Sequence, residues 1–299
     1  MIPINKQLKG SIILIICAFF WGTCFVAQDK AMSYVEPFTF VFMRSTITFF
    51  VLLAITPLID RISGKSKTDD IPSLKAHIKI GVLLGSILVL ASALQQIGIV
   101  YTTPAKSGFV TALYIVMVPV IGLFLGKRVH LPVWIGVVLS LVGLYLLCVK
   151  SDLSINIGDV ITLGCALVFS VHILLIDRFG SNLNSFRLST VQFGTCAVIA
   201  GIVAFIVEDP DPSAIMACFG SIVYAAVFSG AIGYTFQMIG QKYTDPTLAS
   251  LIMCLESVFA ALGGWVILGQ VLSTRELIGC ILILSASIVA QLPDKKHSA

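Results

Sequence analysis

Residues 95–122 read QQIGIVYTTPAKSGFVTALYIVMVPVIG, and residues 237–264 read QMIGQKYTDPTLASLIMCLESVFAALGG. At a fixed offset of 142 positions, Gln95, Ile97, Gly98, Tyr101, Thr102, Pro104, Leu113, Val116 and Gly122 recur as Gln237, Ile239, Gly240, Tyr243, Thr244, Pro246, Leu255, Val258 and Gly264. Shifted by 148, Gly10, Ala18 and Asp29 fall on Gly158, Ala166 and Asp177, the charge of Lys30 falls on Arg178, and Arg44 falls on Gln192. Near the module ends, Leu125, Gly126 and Gly136 fall on Leu268, Gly269 and Gly279 at an offset of 143. One module is written twice, over residues 1–150 and 151–299, the second copy ending in a short cytoplasmic tail.

Composition fixes the solvent. With 58% hydrophobic residues, 11% charged residues and a mean hydropathy of +1.02, the chain is built for a bilayer. A crossing needs about 20 apolar residues, and ten segments qualify: roughly 10–28, 38–59, 78–100, 106–125, 131–149, 158–176, 186–207, 216–240, 246–268 and 274–292. The expected fold is an all-α polytopic membrane protein with ten transmembrane helices in two five-helix repeats. An odd number of helices per module turns the second copy upside down, so the repeats are inverted. Two such copies meeting at mid-membrane are a common architecture of secondary transporters, with the substrate site between them. Only the stretch from Asp60 to His77 reads as a sizeable hydrophilic loop.

Counting Lys and Arg on alternate sides gives fourteen on the N-terminal side against four on the other, with Arg44 inside a span. The positive-inside rule therefore predicts that both termini are cytoplasmic. The net charge of +4 reports topology and gives no reason to expect nucleic acid as a partner. The first apolar run reads as helix 1 in preference to a cleaved signal peptide, because it is long and no small-x-small site precedes Gln28. The eight cysteines are scattered through apolar spans without CxxC or Cys/His ligand spacing, so neither a disulfide framework nor a metal site is expected, and no cofactor is implied.

Polar residues inside spans mark where work can occur. Glu256 lies eleven residues beyond Asp245, about 16 Å into the membrane, and shares a helical stripe with Ala249, Ala260 and Gly263. A lipid-facing charge at that depth costs roughly 2.5 to 3.5 kcal/mol, so Glu256 is expected to face the bundle interior. There it either hydrogen-bonds a neighbouring helix or binds an amine-bearing substrate or a coupled proton. Its repeat partner is Tyr114, which places a phenol and a carboxyl at matching depths.

Lys106 opens helix 4, where it either snorkels to water or turns inward toward a substrate carboxylate or Glu256. Arg44, in helix 2, reads as a structural pair or a gate. Gln237 shares a narrow polar stripe with Gly230, Gly233 and Gln241, and Gln96 shares one with Gly85 and Ser92; such faces serve helix packing or a pathway. Trp21 sits mid-helix, away from the interfacial belt, and fits a cavity wall. Pro119 removes a backbone hydrogen bond and is expected to bend helix 4, as a hinge or a static kink. His172 reads as a core residue, and the GxxxG-like Gly81 and Gly85 leave the oligomeric state open.

The Trp21-Gly22 pair with Phe25 and Lys30, the stretch YTTPAKSGFVTALYIVMVP at Tyr101–Pro119, and LESVFAALGGWVILG at Leu255–Gly269 together resemble the EamA-type transporters of the drug/metabolite transporter superfamily. The resemblance implies a central cavity lined mainly by helices 1, 3, 4, 6, 8 and 9, which moves small metabolites by alternating access. It leaves helix 2, and Arg44 with it, outside that cavity. Two departures stand out: Ser257 follows Glu256 where the family usually has proline, and Gly126-Lys127 and Gly269-Gln270 stand where Gly-Glu is usual. A proline kink in helix 9 is therefore not implied.

Among function classes, an intramembrane enzyme would need a catalytic constellation, and no GxGD, HExxH or nucleophile-elbow motif occurs. A channel would need a repeated filter, which is absent. No Walker A motif is present, so the chain carries no ATP-hydrolysing machinery of its own. The expectation is a secondary transporter in a prokaryotic inner membrane, exporting amino acids or related metabolites. Uptake or exchange of another solute, such as a nucleotide derivative or vitamin, is the alternative.

Overall fold

The computed structural model describes residues 4–62, 71–102, 104–149, 155–269 and 271–292, with the backbone alone at 4, 71–73, 104–106 and 268. These residues form ten helical spans and no strand. They are α1 (Ile4–Met32), α2 (Pro37–Ile62), α3 (Ile71–Tyr101), α4 (Pro104–Ala112 and Tyr114–Phe124) and α5 (Leu131–Cys148) in the first half. The second half holds α6 (Ile157–Leu175, ending in the π turn Ile176–Gly180), α7 (Ser185–Val207), α8, α9 (Pro246–Met253 and Leu255–Leu268) and α10 (Thr274–Val289). Helix α8 is segmented into Pro212–Ala217, Phe219–Tyr224, the π-helical Ala225–Tyr234 and Thr235–Gln241. Among the described residues, nine helices are long and apolar enough to cross a bilayer. The tenth, α10, has 16 residues and lies along α5. Of the hydrophilic loop expected from Asp60 to His77, residues 63–70 fall outside the described residues, while Asp60–Ile62 and Ile71–His77 belong to the ends of α2 and α3.

Local sequence sets the helix ends. Pro246 occupies the first turn of α9 behind Asp245, whose carboxylate accepts the Thr247 N–H at 2.9 Å. Asn156 with Asp159 and Ser273 with Glu276 form reciprocal capping boxes at α6 and α10. At the end of α7, Glu208 reaches across to the start of α2 and accepts the N–H groups of Phe38 and Thr39 at 2.8 and 2.7 Å. That carboxylate meets the positive end of the α2 dipole and locks the two helices together. Large apolar side chains such as Phe50, Val198, Ile206 and Ile281 remain exposed on the outside, as a lipid-facing surface requires.

Helix packing follows the repeat. Adding five to each helix number carries the α1–α9 contact onto α6–α4, α3–α6 onto α8–α1, and α3–α7 onto α8–α2, while α2–α7 and α5–α10 map onto themselves. Individual glycine contacts are duplicated as well. A β-carbon added at Gly10 would stand 3.0 Å from the Gly240 carbonyl oxygen, and one at Gly158 would stand 2.8 Å from that of Gly98. These close approaches need glycine on both helices. Gly81 and Gly85 meet Val191, Gln192 and Thr195 of α7, so this GxxxG-like pair is consumed inside one bundle.

The largest departures from the sequence reading lie in α8 and α9, each read as one continuous span, and in α4, where the expected bend is at Pro119. Helix α4 breaks at Leu113 and α9 at Cys254, positions that correspond within one residue under the repeat. At each break an i+3 bond enters the ladder: Leu113 N–H to Val110 C=O at 3.2 Å, and Ser257 N–H to Cys254 C=O at 3.1 Å. Neither break stands at a proline. Pro119 lies six residues beyond Leu113, inside the continuous Tyr114–Phe124 segment, and Ser257 replaces the family proline without abolishing the interruption of α9. Non-helical backbone at membrane depth is tolerated where it is buried in protein or lines a cavity, and both breaks adjoin one.

Candidate substrate cavity

A central cavity of about 40 Å³ lies where the two repeats meet. That is room for a few waters. Helix α1 contributes Trp21, Phe25 and Gln28, α2 Arg44, α3 Gln95, α4 Thr111 and Tyr114, α6 Phe169 and Ile173, α8 Ser229, Tyr234 and Gln237, and α9 Glu256. All six helices expected on the wall are there, together with α2. Four pairs on the wall are repeat equivalents: Trp21 with Phe169, Phe25 with Ile173, Gln95 with Gln237, and Tyr114 with Glu256.

Glu256 is 6% exposed and accepts a hydrogen bond from the Tyr114 hydroxyl at 3.1 Å. Both residues sit in the first turn after the break in their helices, so the interruption and the pair are one construction. Below Glu256, α1 approaches so closely that a β-carbon at Gly22 would lie 2.4 Å from the Glu256 carbonyl oxygen. The neighbouring Trp21 donates its indole N–H to the Ser229 carbonyl at 3.3 Å and packs on Tyr234 with ring centroids 4.8 Å apart. Room for the indole comes from Gly233, where a β-carbon would meet Trp21 Nε1 at 2.5 Å. The Trp-Gly pair thus has two jobs: one residue forms the wall, and the other lets α1 reach α9. The Ser229 carbonyl belongs to the π-helical stretch of α8, a distortion that commonly accompanies functional sites.

Trp21, Tyr114, Gln237 and Glu256 are brought together on this wall. Gln96 is not among them. It is fully buried with neither amide atom bonded to a described residue, while its neighbour Gln95 faces the cavity. The stripe with Gly85 and Ser92 had pointed to Gln96, whereas the repeat itself, which pairs Gln95 with Gln237, carries the better signal. Lys106 belongs to the first turn of α4, and its side chain lies outside the described residues. Arg44, expected away from the cavity on helix 2, is on its wall, and no described carboxylate pairs with it. Pro119 is buried in α4 but does not line the cavity. His172 is fully buried away from the cavity; its Nε2 lies 3.0 Å from Gln192 Oε1, while its Nδ1 has no described partner.

On the face where the N-terminus begins, polar contacts tie helix ends together. Lys127, after α4, forms an ion pair with Asp177 at the end of α6. Arg187 at the start of α7 grips one oxygen of Asp60 on α2 through Nε and Nη2, at 3.1 and 2.9 Å. Lys242, after α8, donates to the Leu183 carbonyl. Sequence reasoning had placed these residues on one side by topology without pairing them. Among the described residues no group of three or more His, Cys, Asp or Glu side chains is arranged to hold a metal.

Comparison with known proteins gives the same architecture. One solved crystal structure, described only as that of a protein, superposes with a TM-score of 0.76 at 20% identity, covering 97% of this chain and 99% of the other, which speaks to fold alone. Two proteins of Archaeoglobus fulgidus, each named "uncharacterized transporter", are similar over nearly the whole length. One is 29% identical, covering 96% of this chain and 87% of the relative; the other is 22% identical, covering 93% and 96%. The model of the EamA-like transporter family matches twice, at residues 8–149 and 156–291, once for each five-helix repeat. A duplicated bundle around a central cavity with polar side chains on its wall, matched by this family over both halves, makes the chain an integral membrane transporter belonging to the EamA-like transporter family of the drug/metabolite transporter superfamily.

Proposed function

We propose that this transporter is a secondary carrier that exports amino acids or related small metabolites from a prokaryotic cell by alternating access, with both termini in the cytoplasm. The observation that carries the reading is the Tyr114–Glu256 pair, which joins equivalent positions of the two repeats inside the polar cavity and follows a helix break on each side. A substrate amine, or a coupled proton, competes with the tyrosine for the carboxylate. Loading the site therefore changes the contact between the repeats, and a ligand that binds two arrangements unequally shifts their populations.

Lipid and a small solute are the partners this reading requires, and Trp21, Gln95, Gln237 and Tyr234 complete the binding surface. A carrier saturates with substrate and shows counterflow, whereas a channel does neither. The deciding experiment compares intracellular and extracellular metabolites of cells with and without the overproduced protein. Selective extracellular enrichment of amino acids supports the proposal, enrichment inside the cell shifts it to uptake, and an unchanged metabolite profile sinks it.

A further inference from the structure

Arg44 lies about 10 Å into α2, counted from Pro37 at 1.5 Å per residue, and is 3% exposed. A guanidinium is a permanent cation with five donors. Here Nη2 donates to Ser92 Oγ at 3.2 Å, the group lies 5.7 Å from the Phe40 ring centroid, and Nε has no described partner. The ion pairs of the described residues leave it out, and no described carboxylate lies within 4 Å of it. A buried charge without a counterion is costly, and in membrane spans such residues mark ligand pathways.

The repeat supplies a control inside the same molecule. Gln192, the equivalent of Arg44, is neutral and fully buried; its Oε1 is bonded to His172, its Nε2 has no described partner, and it does not line the cavity. Arg44 differs in being charged and in standing on the cavity wall. The second repeat fills the equivalent place with a neutral side chain. Across the same cavity stands Glu256, with Trp21, Phe25 and Phe169 supplying apolar wall.

We propose that Arg44 is the anion subsite of this carrier, receiving the carboxylate of a substrate whose opposite end reaches Glu256 and Tyr114. The inference rests on the carrier reading above and deepens it: the transported solute bears a carboxylate, and a simple amine is not a substrate. A guanidinium fork matches a carboxylate in two-point geometry, which an ammonium cannot reproduce. The competing arrangement makes Arg44 and Glu256 distant counterions of each other, in which case neither is selective for a ligand carboxylate.

The test uses the full-length protein in lipid nanodiscs, titrated with three probes that share one apolar tail: L-leucine, 3-methylbutylamine, which lacks the carboxylate, and 4-methylpentanoate, which lacks the amine. Binding is read by tryptophan fluorescence and thermal unfolding. Leucine and 4-methylpentanoate are expected to bind the wild type, and the amine at least tenfold more weakly than leucine. Arg44→Gln should lose both acids by tenfold or more, with Arg44→Lys intermediate. Ser92→Ala, which removes only the protein acceptor, should retain acid binding and controls for folding around this site. Tighter binding of the amine than of the acids, failure of the acid to bind, or wild-type acid affinity in a folded Arg44→Gln variant overturns the proposal. Acid binding that depends on Arg44 in a protein that exports nothing would leave the subsite standing and remove only the efflux reading.

Discussion

Tyr114 and Glu256 occupy equivalent places in the two repeats and hydrogen-bond to each other at 3.1 Å. Two equivalent positions can touch only where the axis relating the repeats passes between them. The phenol and the carboxyl therefore mark the centre of the bundle. Glu256→Gln should keep expression and folding, since an amide fits the same volume and still accepts the tyrosine hydroxyl, but abolish or uncouple transport. Tyr114→Phe should weaken transport less. Flux in proteoliposomes over a range of pH checks both, and wild-type flux with wild-type pH dependence in Glu256→Gln would remove the carboxyl from the mechanism.

Gly22→Ala should destabilise the protein by about 1 to 3 kcal/mol, the usual cost of overpacking a tight contact. Its β-carbon would press on the backbone of Glu256 and Ala260, at 2.4 and 2.8 Å, where nothing can rotate aside. Yield after detergent extraction and the midpoint of thermal unfolding are the readouts. An unchanged midpoint would mean that α1 and α9 stand farther apart than described.

Trp21→Phe removes the indole N–H from the Ser229 carbonyl but keeps much of the wall. Transport should fall several-fold with little change in stability. Gly233→Ala should resemble it, because the new methyl meets the indole nitrogen at 2.5 Å and displaces the ring. Saturation curves separate the two effects of interest, a raised KM for a wall contact against a lowered maximal rate for a moving part.

Asp177→Asn breaks the Lys127–Asp177 ion pair, whose side chains are 32% and 24% exposed. Partly exposed pairs contribute little to stability, so thermal unfolding should barely move. The expected change is in the balance of states: a cysteine placed at Thr111 should react faster with an aqueous thiol reagent added from the N-terminal face. Exchanging the two charges, Lys127→Asp with Asp177→Lys, should restore the slower rate. Equal labelling in all three proteins would show that the pair does not hold that face shut.

The duplicated sequence made the architecture legible. Hydropathy located the spans, the offset of 142 paired Tyr114 with Glu256, and small residues beside Glu256 pointed it inward. What it left hidden has physical reasons. A break at Leu113 or Cys254 carries no proline or glycine, so no local signal marks it; each lies within two residues of a side chain on the cavity wall. Adjacent residues on a helix differ by about 100° in direction, so choosing between Gln95 and Gln96 requires knowing which face meets the cavity. A peripheral helix 2 implies a peripheral Arg44, although a single long side chain suffices to reach the centre.

The glycine contacts made twice, Gly10 with Gly240 and Gly158 with Gly98, have an energetic corollary. Both contacts are formed at once and are equivalents of each other, so if the halves trade conformations one takes the place of the other and their sum is unchanged. A machine with that property needs no large energy source to switch and can be tipped by a single bound solute. Its bias must then come from places where the halves differ, and Arg44 opposite Gln192 is one of them.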